Sequence, residues 1–146
     1  MCHVLSAVPR SFVREAAVHV QSVDQAPKNR RGGGQVSHLV LAPEQFGSHN
    51  MAVTWVEALP GSQQSLHAHA NREQVYVIVQ GRGRMIVDDD EEDVSAGMLV
   101  FTPPGARHAI RNPGPEPLLY ISATSPPFEM PTGEFAYELP MSSPNR

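Results

Sequence analysis

The apolar runs of this chain are short, rich in valine, isoleucine and leucine, and closed at their ends by proline or glycine, of which the 146 residues hold 14 and 11. Proline removes a ladder donor and fixes its own φ, and glycine is held in regular structure at an entropic cost. Runs punctuated in this way make short strands joined by turns rather than long helices. The expected class is all-β, a sandwich or a barrel. A chain of this length supplies one hydrophobic core and hence one site.

The best strand pattern covers residues 74–80, where β-branched residues run up to the stop Gly81-Arg82-Gly83, and residues 84–87 return as its hairpin partner. Residues 37–41, 51–59, 98–101, 108–111 and 118–123 also read as strands. Residues 1–35 read as an N-terminal arm or loop, residues 36–124 as the barrel, and residues 125–146 as a proline-rich tail over the surface. Phe128, Phe135 and Tyr137 are available to pin that tail. Six successive acids at 88–93 read as a solvated turn, since they lack the spaced carboxylates and the glycine of a calcium loop.

A net charge of −4 leaves no basic surface for a nucleic-acid backbone. The single cysteine, Cys2, cannot make an internal disulfide, and the first twenty residues, which include Arg10, Arg14 and Glu15, contain no continuous apolar run. A cytoplasmic protein without membrane or nucleic-acid partners is expected.

Two imidazoles spaced as His67-Ala68-His69 fall on one side of an extended chain, because successive side chains of a strand alternate between its faces. Such a pair can chelate a metal. His108 leaves the rigid Pro103-Pro104-Gly105 turn, which sets where the next strand begins and where its first side chains point. A third imidazole from a different strand completes a facial set and leaves positions open for water or substrate, as catalytic metal sites require. The competing reading is hydrogen-bonded core histidines; three so placed favour the metal.

The segment Gly61-x5-His67-x-His69-x4-Gln74-x6-Gly81 resembles the first motif of the cupin superfamily, and Gly97-x5-Pro103-x-Gly105-x2-His108-x3-Asn112 matches the second. The short gap between them resembles that of the compact single-domain bacterial members. The resemblance implies a cupin double-stranded β-helix, the jelly-roll barrel, holding one divalent transition metal on His67, His69, His108 and a fourth ligand. Cupins usually carry glutamate at the position of Gln74, and Glu73 is adjacent. Spacing to the histidines admits either residue. Spacing to the hairpin glycine Gly81 selects Gln74, since a one-residue slip turns every side chain to the opposite face. An amide brings no charge, so such a site keeps the ion's double charge, which suits polarising a carbonyl, stabilising an enolate or receiving an anion. Imidazole ligands suit zinc, iron, nickel or copper, and manganese is admissible.

With Gln74 inward, the strand period puts Tyr76 on the same face, either as a hydrogen-bonding or proton-donating group or as a satisfied core tyrosine. His49 and His38 are candidates for a base or an extra ligand, or for ordinary surface or core histidines. Met51, Trp55, Met85 and Phe101 fit a pocket wall or the core equally. The basic, glycine-rich stretch Lys28-Asn29-Arg30-Arg31-Gly32-Gly33, followed by a strand and the His-x-His motif, also resembles the small cupin-type cyclases of aromatic polyketide assembly. Together these resemblances imply a metal-dependent enzyme acting on a small carbonyl-containing metabolite by enolisation, as a cyclase, isomerase or lyase. The same histidines would serve a dioxygenase, and the superfamily also holds non-catalytic binding or sensing members. An exposed N-terminal strand invites edge pairing, and cupins commonly dimerise, so a homodimer is expected.

Overall fold

Strands form where β-branched and aromatic residues alternate with polar ones. The computed structural model describes residues 17–140, so Cys2, Arg10, Arg14 and Glu15 lie outside the described residues. Among these, nine strands occur: β1 (Lys28–Arg31), β2 (Gln35–Leu41), β3 (Ala52–Ala58), β4 (Glu73–Gln80), β5 (Arg82–Val87), β6 (Asp90–Ser95), β7 (Leu99–Thr102), β8 (His108–Arg111) and β9 (Leu118–Ser125). They pair antiparallel into a six-stranded sheet, β1-β2-β3-β9-β4-β7, and a three-stranded sheet, β6-β5-β8. Strand β9 returns from the end of the chain to lie between β3 and β4, the long-range crossing that makes a jelly roll. No helix among the described residues is long and apolar enough to cross a membrane.

The period of two gives the large sheet an inner face whose polarity changes along its length. In register, Ala58 faces Leu118, Val56 faces Tyr120, and Thr54 faces Ser122 across β3 and β9. Across β4 and β9, Ile78 faces Tyr120, Tyr76 faces Ser122, and Gln74 faces Thr124. All of these side chains are buried. The apolar end merges with Met85, Val94 and Ile110 from the small sheet to form the core. The polar end is left to build a site. Gly81, at φ +85°, lets the β4–β5 connection pass the Pro117 carbonyl so closely that a Cβ there would strike it.

Several elements differ from the sequence expectations. Lys28–Arg31, read as part of an arm, forms β1 and pairs with β2, because the glycines at 32–34 close a hairpin. Only Asp88 and Asp89 of the acidic run make the turn. Asp90 to Asp93 lie on β6, an edge strand, where Arg84 of β5 pairs with Glu91 at 3.1 Å and with Asp93 at 3.0 Å. Charges on an edge oppose pairing with another chain, so the run suits this place. Trp55 alternates away from the buried Thr54 and Val56, and Phe101 is half exposed, and neither lines the cavity beside the histidines; Met51 is exposed and Met85 belongs to the core. The tail crosses the free edge of β1, where Lys28 and Glu138 exchange backbone hydrogen bonds at 2.9 and 2.8 Å.

Ile110 has no exposed surface, so Ile110→Ala is expected to cost about 2–5 kcal/mol through lost burial and a residual cavity. Asp93→Ala, at a side chain 85% exposed, leaves the unfolding midpoint nearly unchanged. Denaturant unfolding of both variants checks the contrast.

Candidate metal centre

The His-x-His segment lies in extended chain outside the named strands, and isolated antiparallel bridges hold it, joining Gln63 to Arg111 and His67 to His108. The His67 N–H donates to the His108 carbonyl at 3.1 Å and the His108 N–H to the His67 carbonyl at 2.8 Å. The N–H of Gly105, in the Pro-Pro-Gly turn, donates to the His69 carbonyl at 2.8 Å. One extended segment is therefore laid against the start of β8. The three imidazoles meet with ring centroids 4.3 Å (His67–His108), 5.0 Å (His67–His69) and 5.4 Å (His69–His108) apart. Their ligand nitrogens lie within 4.8 Å of one another, a group that can hold a metal ion.

Two backbone carbonyls set the proton positions. His67 Nδ1 is 2.7 Å from the Ser65 carbonyl and His108 Nδ1 is 3.0 Å from the Ala106 carbonyl. A carbonyl only accepts, so each Nδ1 carries hydrogen and each Nε2 presents its lone pair, the arrangement expected of metal-bound histidines. Burial, with smaller contributions from His67, His108, Arg72 and Arg31, brings His69 down to about 4. Burial likewise lowers His108, against the opposing effect of its bond to Ala106. His69 and His108 are thus neutral near pH 7.

Gln74 points inward and is 9% exposed, while Glu73 lies on the exposed face. The Gln74 amide nitrogen donates to Ser122 Oγ, which turns Oε1 towards His108 Nε2 at 3.1 Å. With His108 protonated on Nδ1, two lone-pair acceptors face each other at that distance. A cation shared by both resolves the repulsion, so the donor chemistry fits a metal.

His67, His69 and Gln74 open onto a cavity of about 700 Å³, with His108 held against Gln74. Tyr76, fully buried in its wall, donates to Gln64 Oε1 at 3.4 Å and meets the His108 ring edge-on. Burial pushes its phenol well above the ordinary value, so it remains a neutral donor. The structure does not bring His49 to the cavity: exposed before β3, it pairs through Nδ1 with Glu44 at 2.6 Å. His38 sits on β2 opposite Trp55, outside the cavity lining. Arg31, Gln35, Ser122 and Thr124 also line the cavity and were not among the sequence candidates. Their signals were present: alternating polar residues at Ser122 and Thr124, and a glycine-closed hairpin around Arg31 and Gln35.

Lowered titration of His69 links its proton to stability. Between pH 6.5 and about 4 the unfolded chain binds a proton that the folded His69 refuses, so folding stability is full above that window and is lost as the pH falls through it. The metal-free protein is expected to show a declining urea midpoint from pH 6.5 downward, and His69→Gln to show a shallower decline. Parallel profiles for the two proteins would contradict this.

The cupin domain family model matches residues 54–124. An uncharacterised protein of Methanocaldococcus jannaschii is 37% identical over 95 residues, 65% of this chain and 76% of that one. The oxalate-binding protein of Thermotoga maritima is 31% identical over 97 residues, 64% of this chain and 79% of that one. The tetracenomycin polyketide synthase protein TcmJ of Streptomyces glaucescens is 25% identical over 111 residues, 76% of this chain and 73% of that one. The family match runs from Thr54 on β3 to Thr124 on β9, the two strands whose inner faces carry both core and cavity, and the chain belongs to the cupin family.

Proposed function

We propose that this cupin is a metal-dependent enzyme that acts on a small carbonyl-containing metabolite by enolisation, as a cyclase, isomerase or lyase. The observation that carries the reading is the charge of the donor set: three imidazoles and an amide oxygen converge at one cavity with no carboxylate among them. His67, His69, His108 and Gln74 would hold the ion. When bound, a divalent zinc, iron, nickel, copper or manganese ion supplies there an undiminished double charge as a Lewis acid for a carbonyl oxygen.

The remaining work falls to the chain itself. The Ser65 and Ala106 carbonyls hold two imidazoles in one tautomer, and Ser122 holds the Gln74 amide, so the donors are oriented before any substrate arrives. Tyr76, kept protonated by burial, has its O–H beside His108 on a long bond to Gln64, and would exchange that acceptor for a substrate oxygen that gains charge, as a hydrogen-bond donor. His49 has no role in this reading. The likeness to TcmJ, named as a polyketide synthase protein, supports a polyketide-like carbonyl substrate, and the likeness to an oxalate-binding protein supports a small oxygen-rich ligand.

Protein purified without added metal is expected to carry a divalent transition ion, and His67→Ala or His108→Ala to lose most of it with the far-ultraviolet spectrum unchanged. Full occupancy in both variants rejects the site. Gln74→Ala is expected to weaken metal binding by at least about tenfold, the scale of losses at supporting residues, and Glu73→Ala to leave it unchanged. Metal-dependent exchange of α-protons for deuterium in 1,3-diketone probes, followed by nuclear magnetic resonance, tests the chemistry. Oxygen uptake matching substrate loss would replace enolisation with dioxygenation, and a ligand bound unchanged with no exchange would replace it with binding alone.

A further inference from the structure

The β1–β2 hairpin brings donors to the same cavity. Of the cations on β1, Lys28 and Arg30 face outward, whereas Arg31 lines the cavity. Its register partner is Gln35, the first residue of β2, and such cross-strand neighbours stand about 5 Å apart at Cβ. Gln35 is 2% exposed, lines the cavity, and has a buried amide nitrogen with no hydrogen-bond partner among the described residues. Buried donors are nearly always met, so this one calls for an acceptor.

Arg31 donates to the Tyr137 hydroxyl at 3.2 Å, which in turn lies 2.9 Å from Ser37 Oγ, and no carboxylate pairs with Arg31 among the described residues. Glu129, on the tail, is the one carboxylate in the described lining, and it is exposed. The guanidinium charge is felt inside the barrel. It opposes the upward push of burial on Tyr120. Gly33, at φ +82°, seats the hairpin turn against the Gln63 carbonyl where a Cβ would collide, so the donor pair rides on a turn fitted to the cavity rim.

We infer that Arg31 and Gln35 form an oxyanion-binding subsite, and that the substrate carries a carboxylate in addition to the carbonyl group met by the imidazole cluster. The inference rests on the reading of this cavity as the substrate site. A guanidinium fork and an amide N–H together match the lone pairs of a carboxylate, and charge-assisted bonds of this kind are strong away from water.

Calorimetric titration of the zinc-loaded protein with 3,5-dioxohexanoate and with its methyl ester separates the two parts, since the ligands share a 1,3-dicarbonyl unit and differ in terminal charge. The acid is expected to bind at least about tenfold more tightly than the ester, the ratio that one hydrogen-bonded charge supports. Arg31→Gln and Gln35→Leu are each expected to shrink that preference while ester affinity and metal content stay as in the wild type; Arg31→Lys, which keeps the charge but loses the fork, is expected to retain part of it. Equal affinities for acid and ester in the wild type, or a full acid preference in both Arg31→Gln and Gln35→Leu, overturns the subsite. Unchanged metal content and unchanged affinities in both His67→Ala and His108→Ala would instead overturn the metal reading, whatever the acid-to-ester ratio.

Discussion

The reciprocal backbone hydrogen bonds between His67 and His108 join an extended segment to the first residue of β8. Without them two imidazoles would belong to an irregular connection and the third to a short strand, with nothing to bring the rings together. Because a strand exposes alternate residues to the same side, one bridge suffices to place His67 beside His108, and His69 follows two residues on. The bond from Gly105 to His69 steadies the same segment from the turn. Backbone pairing therefore sets the centre, and the side chains inherit their positions from it.

Neutrality runs through the centre. Burial opposes protonation of His69 and His108, carbonyls decide which nitrogen of His67 and His108 is free, and an amide stands where the family usually has a carboxylate. Burial of the imidazoles and the amide of Gln74 each remove charge from the protein side of the cavity. An ion bound there would keep its charge, and Arg31 adds to the positive potential. With the ion in place, such an interior would favour an electron-rich group over a second cation.

The barrel combines core and cavity in one set of strands. Moving along β3, β4 and β9, inward positions pass from Ala58, Ile78 and Leu118 to Thr54, Gln74 and Thr124. The apolar end contributes the burial that drives folding, and the polar end forgoes some of it to leave a lined space. The acidic strand β6 performs a different task at the sheet edge, where its charges meet Arg84 and Arg111 and discourage strand addition.

Local chain geometry was legible in the residues. The strand over 74–80, its glycine stop and the i, i+2 relation of His67 and His69 depend only on neighbours in sequence, as does the inward turn of Gln74 relative to Glu73. The arm was misread because Lys28–Arg31 is too short and polar to announce a strand without β2 beside it, and the acidic run was misread because β6 exists only through pairing with β5. Sequence alone likewise could not place Arg31 and Gln35 in one cavity lining with His67 and His69 or leave His49 on the surface paired with Glu44. Alternation and turn chemistry are set by covalent geometry over a few residues, and these the sequence determined by itself. Which strands lie side by side, and therefore which distant side chains share a cavity, is decided by the order of strands in the folded sheet.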